Sequence, residues 1–150
     1  MDIPRELMIV WTASLPVLEL RAAIPLAIKM GIHPVEALVL GIIGNILPIP
    51  AVLWLLEPVT AALRRWRISR KGIEWVLRHS RAKSETIRRY GFLGLIALVS
   101  VPLPSTGAWT GAIAASLLGL KFWSSLLAIT IGTTIAGAIV TGLTVLGTGL

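Results

Sequence analysis

The chain contains no cysteine and few charged residues. Of its 150 residues, 14% are charged and 55% are hydrophobic, whereas about 25% of the residues in a soluble domain are charged. The absence of cysteine excludes disulfides and thiolate metal sites. No basic stretch precedes the first apolar run, which argues against a cleavable signal peptide. This composition predicts an integral membrane protein.

Motifs of enzyme chemistry are equally scarce. The two histidines, His33 and His79, lie far apart, with no carboxylate at metal-ligand spacing. Neither a Ser-His-Asp set nor a phosphate-binding glycine loop is visible. We therefore expect no enzyme activity, no cofactor and no metal site.

The apolar stretches have two different lengths. Residues 35–56 and 122–148 each exceed the roughly 18 to 20 residues that a membrane span requires. Four others contain about 9 to 12 residues, half a bilayer at 1.5 Å per residue. These shorter stretches cover residues 7–15, 22–30, 91–101 and 108–118.

The four short stretches form two pairs, and prolines interrupt each pair. Pro16 and Pro25 interrupt the first pair, and Pro102 and Pro104 interrupt the second. Two half-length helices joined by such a break predict a re-entrant hairpin, which membranes tolerate only when it is buried in protein or lines a wet cavity. The alternative is that each pair fuses into one kinked span.

The two halves of the chain resemble each other. A shift of 88 positions places Pro16 on Pro104, Gly31 on Gly119, and Gly44 on Gly132. The sequence therefore predicts an all-α membrane domain over residues 1–150, built from two repeats, 4–58 and 91–148. Each repeat would be a re-entrant helical hairpin followed by a transmembrane helix.

A strongly basic segment, residues 60–90, joins the repeats. Between Arg64 and Arg89 ten basic residues face only Glu74 and Glu85, a net charge of +8. Basic residues beside spans mark the cytoplasmic side, so this amphipathic segment is expected on the cytoplasmic membrane surface rather than on nucleic acid. Both termini would then lie opposite, and the repeats would be inverted, as in many secondary transporters.

The breaks carry the candidate binding residues. Glu19 and Arg21 belong to the first, and charges at membrane depth are usually functional. The second contributes Ser105, Thr106, Gly107, Trp109 and Thr110.

The residue types in the breaks favour an anionic ligand. Arginine offers a planar set of donors suited to phosphate, and a helix N-terminus after the second break would attract an anion. Burial disfavours a charged carboxyl, so Glu19 is expected to take up a proton. Asn45 is a further candidate for the binding site.

Plainer interpretations stay open for the same residues. In the first, Glu19 and Arg21 pair only with each other. In the second, Thr106 and Thr110 only cap a helix. In the third, Asn45 only forms a hydrogen bond to a neighbouring helix.

Four motifs resemble the family of small multi-drug export proteins, which are short prokaryotic inner-membrane proteins. They are residues 19–25 (ELRAAIP), 44–50 (GNILPIP), 57–58 (EP) and 102–111 (PLPSTGAWTG). That family is similar to the DedA superfamily, whose hairpins serve lipid transport. The resemblance implies that Glu19 is an essential hairpin acid and Arg21 a phosphate-binding arginine. DedA proteins also carry arginine in the second hairpin, whereas none lies here within residues 91–118.

These features together predict a transporter in the cytoplasmic membrane. The expected substrate is undecaprenyl phosphate or another anionic lipid, moved with proton linkage. Because two spans are few for a complete pathway, we expect a homodimer. Two alternatives remain: a multidrug or cation exporter in which Glu19 binds the cation, and a non-transporting membrane scaffold.

Overall fold

In the computed structural model, which describes residues 4–65, 91–102 and 106–149, every regular element is an α-helix. The prediction of an all-α chain is therefore confirmed for these residues. The helices are α1 (Arg5–Ser14), α2 (Glu19–Lys29), α3 (Pro34–Ile46), α4 (Ile49–Arg65), α5 (Phe92–Ser100), α6 (Ala108–Leu118) and α7 (Phe122–Thr148). The basic segment from residue 66 onwards lies outside the described residues, as do Pro104 and Ser105.

Among the described residues, two stretches are long and apolar enough to cross a membrane, as predicted. They are Pro34–Leu56 and Phe122–Thr148, with mean hydropathy 2.2 and 1.9. The first of them is interrupted between α3 and α4. Proline lacks an N–H, so Pro48 and Pro50 cannot donate to the carbonyls of Gly44 and Ile46, and α3 gives way to α4 at this point.

The last helix of the first half extends beyond residue 58, where the sequence predicts the first repeat to end: α4 continues through Pro58 to Arg65. Pro25, predicted as a hairpin break, lies inside α2. It costs that helix the hydrogen bond to the Arg21 carbonyl without ending it. Pro16 does lie in a break, between α1 and α2.

The helices recur in the same order in both halves: two short helices, then a long apolar stretch. The first long stretch begins at residue 34 and the second at residue 122, which reproduces the shift of 88. The second short helix of each half is followed within two residues by a glycine with positive φ, Gly31 at +83° and Gly119 at +69°. Glycine adopts this left-handed conformation without steric cost.

Equivalent glycines fix the first helix of each half against the long stretch. A Cβ at Gly44 would collide with the Val10 backbone of α1. A Cβ at Gly132 would lie 2.7 Å from Val99 Cβ of α5, closer than Cβ atoms approach one another. The two glycines therefore allow the same close packing in both halves.

The two long stretches run in opposite directions. Leu38, near the start of α3, packs in one core cluster with Val145, near the end of α7. Ile49 of α4 packs in another with Ile129, near the start of α7. Between these clusters, a Cβ at Gly137 would lie 2.8 Å from Leu38 Cδ1. This antiparallel pair holds the two short-helix pairs, and hence their breaks, beside each other.

Candidate functional site

Hydrogen bonds join the two breaks. The Arg21 Nη2 group, in the first turn of α2, donates to the Val101 carbonyl at 3.4 Å and to Thr106 Oγ1 at 3.3 Å. In the opposite direction, Trp109 Nε1 on α6 donates to the Ser14 carbonyl at the end of α1, at 3.3 Å. Residues separated by 80 or more positions in the chain thus form one site.

Glu19 lies where α6 begins. Its side chain is only 7% exposed, and a Cβ on Gly107 would coincide with its carboxylate. The carboxylate also interacts with the backbone N–H of Trp109, in the first turn of α6. A helix N-terminus carries partial positive charge that favours an anion, and here the chain's own Glu19 supplies that anion.

The backbone of Glu19 is strained. Its φ of +49° is the one positive value at a non-glycine position in the described part of the chain. Such a conformation costs about 1 to 3 kcal/mol and persists only where the surrounding structure enforces it. The Glu19 N–H donates to the Leu15 carbonyl at 3.0 Å, so the carboxylate is carried on a tight, defined turn.

The two threonines of the second break have different roles. Thr110 Oγ1 accepts from the Gly107 N–H at 2.8 Å and donates to the Gly107 carbonyl at 3.1 Å. It therefore caps α6, as the plainer interpretation expects. Thr106 Oγ1 donates to the Val101 carbonyl at 2.7 Å while accepting from Arg21, so Thr106 holds the arginine against the second half.

Glu19 and Arg21 attract each other electrostatically, but no direct ion pair joins them within the described residues. Glu19 engages the start of α6, and Arg21 engages a carbonyl and a hydroxyl. The interpretation that the two charges pair only with each other is not what the structure shows. Each charge instead connects the first half to the second.

An open pocket of about 390 Å³ lies between the breaks. This volume is in the range of small-molecule sites. The Arg21 side chain is half-buried here, whereas the Glu19 side chain is almost fully buried. Lining residues include Pro16, Leu18, Glu19, Arg21, Pro102 and Thr106. The pocket therefore combines apolar walls with one accessible guanidinium.

The family described as "Putative small multi-drug export protein" matches residues 19–139. The chain belongs to this family. No curated protein and no solved structure matches the chain. The family and the two long apolar helices together make this an export-type membrane protein, and the resemblance to small multi-drug export proteins is confirmed.

Not every predicted site residue of this export protein lines the pocket. Asn45 is 1% exposed and lies outside the pocket lining, and Ser105 is beyond the described residues. The Trp109 side chain ties α6 to α1 rather than lining the pocket. The carbonyls of Val101 and Ser14 escaped prediction, because main-chain acceptors carry no residue-type signal.

Proposed function

We propose that this export protein moves an amphiphile with an anionic head group across the cytoplasmic membrane, and that the head group binds Arg21. The proposed substrate is undecaprenyl phosphate or another anionic lipid. The proposal rests on one observation: Arg21 is accessible in the pocket, while the neighbouring carboxylate is already engaged by α6. The pocket thus presents a positive charge to its contents.

Arg21 has donors to spare. Within the described residues, its hydrogen bonds use Nη2 alone, measure 3.3 and 3.4 Å, and go to uncharged oxygens. A guanidinium carries five N–H donors in a planar fork, and a phosphate accepts two of them in parallel. A partly buried charge with no counter-ion in direct contact is costly, so an anion that enters the pocket would form charge-assisted hydrogen bonds with this guanidinium.

The membrane architecture that goes with this proposal is a pair of inverted repeats with re-entrant hairpins. The recurring helix order and the antiparallel long stretches support it. Half-helices meeting at mid-membrane are typical of transporters with inverted repeats. A distant relationship to the DedA lipid transporters, and assembly as a homodimer, belong to the same proposal.

Proton linkage would act through Glu19. Protonation removes the negative charge from the start of α6, weakens that contact and lets the second hairpin move against the first. We expect Glu19→Gln, which keeps the side chain's size, to abolish the pH dependence of transport between pH 5 and 8 in proteoliposomes. Head-group affinity should stay within about twofold, since Arg21 retains its donors. A variant that keeps the wild-type pH profile would remove Glu19 from the mechanism.

Cation export is the second candidate, favoured by the family's description and by a carboxylate in the wall of the pocket. Anionic lipid transport and cation export can be distinguished by the substrate that the protein moves. Proteoliposomes would be loaded in parallel with a labelled anionic phospholipid and with a cationic dye. Movement of the lipid alone supports our proposal, and movement of the dye alone, lost in Glu19→Gln, supports cation export.

The proposed topology makes its own prediction. The +8 segment should be cytoplasmic and the termini opposite. Because the chain has no cysteine, single cysteines can be introduced at Ser84 and at Leu150. An impermeant thiol reagent should label Leu150→Cys in intact cells and Ser84→Cys only after permeabilisation. The reverse pattern would overturn the topology.

A further inference from the structure

Two buried oxygen atoms in the long apolar stretches have no hydrogen-bond partner among the described residues. Asn45 and Thr133 are each 1% exposed, and neither Asn45 Oδ1 nor Thr133 Oγ1 has a hydrogen bond in the part of the chain that the structure describes. Buried polar side chains are nearly always paired, so an unpaired one calls for a specific explanation, and binding of an ion is one. The two residues are 88 positions apart and therefore occupy equivalent places in the two halves.

The faces that carry these two residues meet. On α3, Asn45 follows Leu38 and Ile42 at helical spacing, and both of those side chains contact the Gly137 position of α7. On α7, Thr133 lies one turn before Gly137. Residues three or four apart share a helix face. The two helices are antiparallel. One turn toward the C-terminus of α3 and one turn toward the N-terminus of α7 therefore reach the same height along the helix pair.

Thr133 behaves unlike most of the other hydroxyl residues of α7. Six of them donate to the carbonyl four residues earlier, at 2.7 to 3.0 Å. They are Ser125, Thr130, Thr134, Thr141, Thr144 and Thr148. This local bond is the usual way in which a helix satisfies a hydroxyl away from water. Thr133 does not make it, so its oxygen is left available at the buried α3–α7 contact.

The main chain beside Asn45 supplies further oxygens. Pro48 and Pro50 have no N–H, so the carbonyls of Gly44 and Ile46 receive no hydrogen bond from the residue four positions later. These carbonyls flank Asn45 where α3 gives way to α4. Carbonyls released by an interrupted membrane helix coordinate Na⁺ in several transporter folds.

We propose that Asn45, Thr133 and these released carbonyls bind a small monovalent cation, Na⁺. The donors are all uncharged oxygens, and no group of acidic, histidine or cysteine side chains suited to a metal occurs in the described ranges. Divalent ions such as Ca²⁺ and Mg²⁺ are usually held by carboxylates, so the set fits a single positive charge. The site lies apart from the Arg21 pocket, and its existence does not depend on the head-group proposal.

The test is the thermal stability of the purified protein in detergent, with NaCl exchanged for choline chloride at constant ionic strength. A ligand at about 100 times its dissociation constant stabilises the folded state enough to raise Tm by roughly 5 to 10 °C. We expect such a saturable rise in Na⁺. Equilibrium binding of ²²Na⁺ to the wild type should show one site per chain. Equal Tm values in both salts, or no saturable ²²Na⁺ binding, would overturn the site.

A matched pair of variants locates the cation. Thr133→Val removes the unpaired hydroxyl at almost constant volume, and we expect it to lower Na⁺ affinity at least tenfold. In choline it should be as stable as the wild type or more so, because a buried unpaired group is removed. Thr134 provides the control, because its hydroxyl is exposed and donates to the Thr130 carbonyl. Thr134→Val should keep the full rise in Tm with Na⁺. A Thr133→Val protein that retains the wild-type Na⁺ response would contradict the assignment, as would one destabilised equally in both salts, the result expected for a bound water.

Discussion

Replacing Gly107 with alanine should reduce transport to near background. The added Cβ would occupy the position of the Glu19 carboxylate, so Glu19 would have to leave the start of α6. Gly107 has an extended backbone, with φ −177° and ψ −165°, which any residue can adopt. The expected defect therefore comes from lost space alone, and overpacking of this kind costs about 1 to 3 kcal/mol.

Two comparisons make the Gly107 prediction specific. Gly142→Ala adds the same methyl inside α7, where nothing lies within 4 Å, and should leave transport intact. In a Glu19→Ala background, Gly107→Ala should cost little stability, because the colliding carboxylate is gone. A double-mutant cycle measured by thermal unfolding reports this coupling. Additive effects of the two substitutions would show that Glu19 and Gly107 do not touch.

Arg21→Ala should lower head-group affinity roughly 100-fold, since it removes charge-assisted hydrogen bonds worth about 1.5 to 3 kcal/mol. Arg21→Lys keeps the charge but loses the planar fork, so we expect a roughly tenfold loss. The measurement is binding of a short-chain phosphorylated lipid to the purified protein by calorimetry. Lys29→Ala removes one positive charge from the other end of α2, outside the pocket, and should leave affinity within about twofold.

One outcome of the Arg21 substitutions would contradict head-group binding by this residue. If Arg21→Ala binds and moves lipid as the wild type does, the bonds from Arg21 to Val101 and Thr106 serve only to join the two halves. In that case the variant should lose thermal stability while keeping its transport rate. Loss of both affinity and transport with a nearly unchanged Tm would instead assign Arg21 to the ligand.

Local features of the sequence predicted the elements but not their contacts. Apolar length located the two long stretches, and the shift of 88 positions anticipated the turns at Gly31 and Gly119. Pro25 was misread because a proline can lie within a helix when its missing hydrogen bond is tolerated. The approach of Glu19 to Gly107 depends on tertiary packing across 88 residues, which spacing alone cannot specify.

Equivalent positions in the two halves also carry equivalent polar residues. Asn45 stood out as a polar residue in an apolar run, whereas Thr133 did not, because α7 contains many hydroxyl residues. The same shift that matches Gly44 with Gly132 also matches Asn45 with Thr133. Pro48 and Pro50 lie within an unbroken apolar run, so their effect on the long helix was masked by hydropathy.

Native mass spectrometry of the protein purified with its membrane lipids tests the central claim most directly. We expect the wild type to retain a phosphate-bearing anionic lipid, with a polyprenyl phosphate as the leading candidate. Arg21→Ala should release that lipid, and Lys29→Ala should keep it. Retention of only zwitterionic lipids by the wild type, or the same anionic lipid on Arg21→Ala, would contradict an Arg21-centred head-group site.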